Sequence, residues 1–154
     1  MTSKRRGRNK RTAIRTGPQP TDEHDIVFYR APDGTMPAQE YLNSVPATIR
    51  ARIRSAAIAV AQAPPMRFAG GGYWEAMRGS MTGWFEIRVD GPPNRTHYRV
   101  FCLLDYEAKG VDKPLLVLVD GRTKAFRTTL PDSDYAAVLL LGKDYFSQQP
   151  RPIG

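Results

Sequence analysis

Three successive segments near the middle of the chain are largely apolar, yet each carries an arginine. They are 73–79 with Arg78, 84–89 with Arg88, and 97–104 with Arg99. Side chains alternate between the two faces of a strand. Phe85, Ile87 and Val89 therefore share one face, and Glu86 and Arg88 share the other. In the next segment Tyr98, Val100, Cys102 and Leu104 go together, opposed by His97, Arg99 and Phe101. If the two strands pair, one face of the sheet is a core and the other gathers Glu86, Arg88, His97 and Arg99. A cluster of that kind suits an anionic partner, and RNA phosphate is the obvious candidate.

The remaining elements follow from periodicity and turn residues. A first strand at 26–30 closes on Pro32-Asp33-Gly34, and Thr35 with Pro37 starts a short helix through Leu42. A second helix starts at Ser44-Val45-Pro46. Ile49, Ile53, Ala56 and Val60 form a single stripe along it, and Pro64-Pro65 stops it. Arg50, Arg52 and Arg54 read as a solvated face of this helix, and Gly70-Gly71-Gly72 as a hinge or loop. Leu115 to Val119 is apolar at every position, which predicts a central strand buried on both faces. The strand is expected to end at Asp120-Gly121, with 122–127 leaving as a basic loop. A last helix begins at Pro131-Asp132-Ser133-Asp134, and Gly142 weakens its end.

The expected fold is thus α+β, in the order β-α-α-β-β-β-β-α. A small, twisted, mostly antiparallel sheet would carry the two N-terminal helices packed on one face, with a C-terminal helix completing the domain. Residues 26–146 form the domain, 147–154 a short tail, and 1–25 a flexible basic arm.

Charge is concentrated in that arm. Seven of the 23 basic residues lie in 1–16 with no acid, leaving 16 basic against 15 acidic residues, a net of +1, for the rest. A basic site in the body must therefore be local, and the arm reads as a solvated linker or as an electrostatic tether for nucleic acid or the ribosome. The single cysteine, Cys102, excludes an intramolecular disulfide and any cysteine-based zinc cluster, and no metal or cofactor is expected. No apolar stretch is long enough to span a membrane, and the basic N-terminus lacks a signal-type apolar run. A reducing cytoplasm is the expected location.

Four pieces in a fixed order carry a family resemblance: Met77-Arg78-Gly79, then Phe85-Glu86-Ile87-Arg88, then Tyr98-Arg99-Val100-Phe101. The fourth is Leu115 to Val119 running into Gly121-Arg122-Thr123-Lys124, followed by Arg127-Thr128-Thr129-Leu130-Pro131. Over about residues 26–140 the chain resembles the RelE/HigB-type toxins of bacterial toxin–antitoxin systems, particularly their phage-derived branch. The resemblance implies a type II toxin: a ribosome-dependent mRNA endonuclease, or mRNA interferase, that inhibits translation. Its partners would be mRNA, the ribosome and a cognate antitoxin of helix-turn-helix type, with no membrane involved. Cleavage of that kind is metal-independent, because the RNA 2′-hydroxyl attacks its own phosphate.

In this light Arg99 stabilises the pentacoordinate phosphate, and Arg88 and Arg78 hold flanking phosphates or share the task. Lys124 supplies positive charge, with Arg122 and Arg127 as further RNA-binding groups. Glu86 or His97 is the general base, and Tyr135 or Lys124 protonates the leaving oxygen. Trp74 and Trp84 read as packing between strands rather than as base-stacking groups. The alternative reading is a non-catalytic module on a RelE-like scaffold that binds nucleic acid or protein.

Overall fold

The computed structural model describes residues 19–63 and 70–154. The first 18 residues, which hold the basic stretch of the expected arm, lie outside them. In chain order the elements are β1 (Asp25–Phe28), α1 (Pro37–Ser44), α2 (Ala47–Gln62), β2 (Gly70–Gly71), β3 (Trp74–Ala76), β4 (Phe85–Gly91), β5 (Thr96–Asp105), β6 (Leu115–Lys124) and α3 (Asp132–Phe146). The strands form one sheet in the order β1-β6-β5-β4-β3-β2. Only the β1–β6 pair is parallel. No described helix is long and apolar enough to cross a membrane.

The two faces are closed differently. On one, Ile49, Ile53, Ala56 and Val60 of α2 pack with Leu42 of α1 against Phe85, Ile87, Val89, Tyr98, Val100 and Cys102. The helical stripe read from the sequence is the stripe that is buried. On the other face α3 contributes Val138 and Tyr145, which meet Phe101, Leu103, Leu115, Val117 and Val119. That helix covers the sheet around Phe101 and Leu103 and leaves the neighbouring rows of β4, β5 and β6 to charged side chains. Those rows become the candidate site.

Both expected tryptophan roles are packing ones. Trp74 is fully buried and stacks on Phe85 with centroids 4.9 Å apart and planes 3° from parallel. Trp84 is buried beneath α3, where it touches Gly142: a Cβ there would overlap the indole. Gly142 therefore serves a close approach of helix to sheet, and α3 runs on to Phe146.

Four expectations need correction. The strand β6 does not end at Asp120-Gly121; it continues to Lys124 in register with β5. Gly121 stays in the ladder because any Cβ there would collide with the ring of Tyr41 on α1. The glycine triplet is only partly a loop, since Gly70–Gly71 pairs with Trp74 and Glu75. The expected arm is too long: His24 is buried, and its backbone N–H donates to the Ala61 carbonyl at 2.8 Å.

The C-terminal segment, finally, is integral to the domain. Ile153 bridges Tyr29, and the Gly154 N–H donates to Phe28 O, so the segment borders the outer edge of β1. Arg151 is anchored on buried Asp105 at 2.8 Å, and Asp105 also accepts from the Tyr145 hydroxyl at 2.6 Å. Two of the helix-face arginines are engaged as well. Arg50 Nε donates to Leu42 O at the end of α1, and Arg52 Nη1 donates to Asp90 O.

Candidate active site

Register brings the charged residues into rows. Arg88 lies opposite Arg99, which lies opposite Arg122; Asp90, His97 and Lys124 form the row beside it. On the other side Glu75, Glu86, Phe101 and Asp120 align. Paired residues point to the same face, with Cβ atoms about 5 Å apart. Arg88 and Arg99 therefore share a face.

A bulge in the β5–β6 ladder at Phe101/Cys102 explains how β6 joins them. Before it Leu115 and Val117 face α3; the extra residue shifts the alternation so that Asp120, Arg122 and Lys124 point to that side too.

Three guanidinium groups in a row would repel one another by a few kcal/mol each at roughly 5 Å in a partly buried setting. Carboxylates separate them. Arg88 bonds Glu75 at 2.8 Å and lies 3.6 Å from Glu86. Arg122 bridges Asp120 at 2.6 Å and Asp134, in the first turn of α3, at 3.2 Å. Arg99 is 3% exposed and donates three bonds, all from Nη1: to Asp90 Oδ1 at 2.9 Å, Tyr98 O at 3.0 Å and Val89 O at 3.4 Å. Its Nε is buried and has no acceptor. The Nε edge belongs to the fork that can bond two oxygens of an oxyanion, and here its Nε has no acceptor among the described residues.

Glu86 and Lys124 lie within the field of that arginine. Burial raises the Glu86 pKa above the ordinary glutamate value, and Glu75 adds to the rise, against the pull of Arg99, Arg88 and Lys124. Burial lowers the Lys124 pKa, helped by Arg99 and Arg88 and opposed by Glu86 and Asp90. The two shifts draw a carboxylate and an ammonium toward each other's range. Tyr135, from the first turn of α3, packs edge-on against Phe101 at 6.1 Å. Its hydroxyl is pushed above the usual tyrosine value by burial, then by the charge of Glu86.

His97 occupies a different role from the one its position in the row invites. Its Nε2 accepts the Arg127 backbone N–H at 3.1 Å, so its Nδ1–H donates to Asp90 at 2.7 Å. Both ring nitrogens are committed. Asp90 thereby takes bonds from His97 and Arg99 on the same oxygen. Burial pulls its pKa up, but those two bonds outweigh it and hold it below the usual aspartate value.

The side chains of the remaining candidates stand outside the rows. Arg78 is exposed beyond the end of β3, and no described hydrogen bond or ion pair ties it to the rows. Arg127 is exposed, with its guanidinium carbon 5.1 Å from the centroid of the Phe126 ring. Asp90, Glu75, Asp120, Asp134, Arg95 and Phe126 all belong to the site or its border, and sequence reasoning missed them as such. Asp90 falls just outside the segment 84–89 read from the sequence, and register alone would have paired it with His97.

Concavity does not mark this place. A groove of about 800 Å³ lies between α3 and Trp84, and Lys143 is its one charged wall residue. A smaller one of about 430 Å³ between α2 and β4 reaches Arg88 and Arg52. We place the site by its coupled charges, since the larger groove holds no acid–base pair. Among the described residues no cluster of histidine, cysteine and carboxylate groups is placed to hold a metal ion. No protein-family model, no curated protein and no solved structure matches this chain.

Proposed function

We propose that this chain is the toxin of a type II toxin–antitoxin system, a RelE/HigB-type endonuclease that cuts mRNA on the ribosome. The observation that carries the reading is the shared placement of Glu86, Lys124 and Arg99. An acid–base pair with converging pKa values sits beside a buried guanidinium whose Nε lacks an acceptor.

RNA supplies its own nucleophile, so a site of this composition suffices. Glu86, as carboxylate, accepts the proton of the 2′-hydroxyl while that oxygen bonds to phosphorus. Arg99 receives the charge developing on the non-bridging oxygens through the Nε that lacks an acceptor. Lys124 gives a proton to the departing 5′-oxygen as the P–O bond breaks. The products are a 2′,3′-cyclic phosphate and a 5′-hydroxyl, and proton exchange with water restores both side chains. Lys124 is the better acid than Tyr135, because its pKa is lowered whereas that of Tyr135 is raised. Arg88 borders the same row and holds a flanking phosphate. His97 positions Asp90, which holds Arg99. A cognate antitoxin would keep the enzyme silent.

A second reading, a non-catalytic binding module, draws on a specific observation: Arg88, Arg99 and Arg122 each have a carboxylate partner. The two separate on one experiment. Expressed without an antitoxin, the wild-type chain should arrest growth and leave mRNA fragments with 2′,3′-cyclic phosphate ends in ribosome-bound codons, and Arg99→Ala should abolish both. Growth arrest without cut mRNA, or no arrest at all, would favour the binding module.

A further inference from the structure

Two turns from different parts of the chain end on one aromatic ring. Arg95, in the β4–β5 turn, has its guanidinium carbon 4.2 Å from the centroid of Phe126; that of Arg127 is 5.1 Å away. The His97 ring stands 5.7 Å from Phe126, tilted by 49°. Both arginines hold left-handed backbone, with φ of 56° and 62°. That conformation costs a non-glycine residue about 1 kcal/mol, and such outliers concentrate at ligand-holding positions. Both are exposed, and neither has an ion-pair partner among the described residues.

This cluster adjoins the candidate site directly. Phe126 lies two residues beyond Lys124, and His97 is the register partner of Lys124. His97 also fixes the Arg127 backbone, as its Nε2 accepts that N–H.

We propose that Phe126, Arg95 and Arg127 form a stacking platform for a base of single-stranded RNA, next to the phosphate held by Arg99. Its place beside a scissile phosphate rests on the reading of the site as an RNA-cleaving one. A guanidinium lying over a ring offers its outer face to a nucleobase, and its charge meets the adjoining phosphate. Stacking of this kind is tolerant of sequence, because every base has a π-face. The two cations without carboxylate partners add net positive charge beside the carboxylate-matched rows.

The test measures binding of two single-stranded oligomers, about eight units long: one an ordinary RNA, the other an abasic chain with the same phosphates. Phe126→Leu keeps an apolar side chain and should weaken RNA binding about tenfold while leaving the abasic chain within twofold. Phe126→Trp, which preserves a stacking surface, should bind RNA as wild type does. Arg95→Ala should lower the salt slope of RNA binding by about one. Equal loss for both oligomers, or no loss for either in Phe126→Leu with unchanged thermal midpoint, would overturn the platform. Cleavage of ribosome-bound mRNA by the same protein variants separates the two ideas. Cut mRNA with no Phe126 effect on oligomer binding removes the platform alone, whereas base-selective binding with no cleavage of ribosome-bound mRNA by the wild type removes the nuclease reading and keeps the platform.

Discussion

The arginines of the sheet and the arginines of the turns beside it are built on opposite plans. Arg88, Arg99 and Arg122 sit in one cross-strand row, and each is matched to at least one carboxylate from β3, β4, β6 or α3. Arg95 and Arg127 are exposed, lie against an aromatic ring and have no carboxylate partner among the described residues. Matched charges can be held rigidly in a partly buried place, which is what orientation of a reacting phosphate requires. Unmatched charges on turns attract a polyanion but orient it weakly. The near-neutral balance of the body is thus compatible with a positive border around an internally compensated centre.

Five substitutions sharpen or break this contrast. The largest effect belongs to the centre: Arg99→Ala should lower mRNA cleavage by roughly 100- to 1000-fold, whereas Arg127→Ala should lower it less than about tenfold, as read from cleaved ends. Equal losses would erase the distinction. Next, Gly121→Ala should destabilise the fold by about 2 kcal/mol in denaturant titration, because the added carbon meets Tyr41 where β6 carries Arg122 and Lys124 past the bulge. A neutral outcome would mean that the last residues of β6 are not pinned as described.

Smaller is the effect of Glu86→Gln. The folded pKa of Glu86 lies above its unfolded value, so its contribution to stability is full below the unfolded value and is lost as pH rises through the folded one. The glutamine variant should therefore be more stable than wild type at pH 7 by about 1 kcal/mol, with the gain vanishing near pH 4, while cleavage falls. Smallest is Arg95→Ala, expected to leave thermal stability within about 0.5 kcal/mol. A larger loss would show that the border arginines hold the fold together.

How far these regions could be read beforehand follows from the same contrast. Alternation in 84–89 and 97–104 defined which side chains share a face, and the observed register of Arg88 against Arg99 agrees with it. The stripe of α2 was equally legible, since helical spacing and burial coincide there. What escaped was non-local. The bulge in the β5–β6 ladder shifts the alternation and admits Asp120, Arg122 and Lys124, and nothing in the local pattern announces it. Gly121 and Gly142 read as breakers because their partners, Tyr41 and Trp84, lie far away in the chain. His97 read as a possible base because its bond from the Arg127 backbone depends on a loop 30 residues on. The border was invisible for a related reason: Arg95 and Phe126 meet only after both turns have folded.

The most direct test of the coupled site is a carbon-detected NMR titration of the Glu86 carboxyl in the wild-type chain and in Lys124→Met. The wild-type carboxyl should titrate above the ordinary glutamate value, and removing the ammonium should raise it further, since Lys124 charge favours the carboxylate. A Glu86 that titrates like a free glutamate, or ignores the loss of Lys124, would contradict the account.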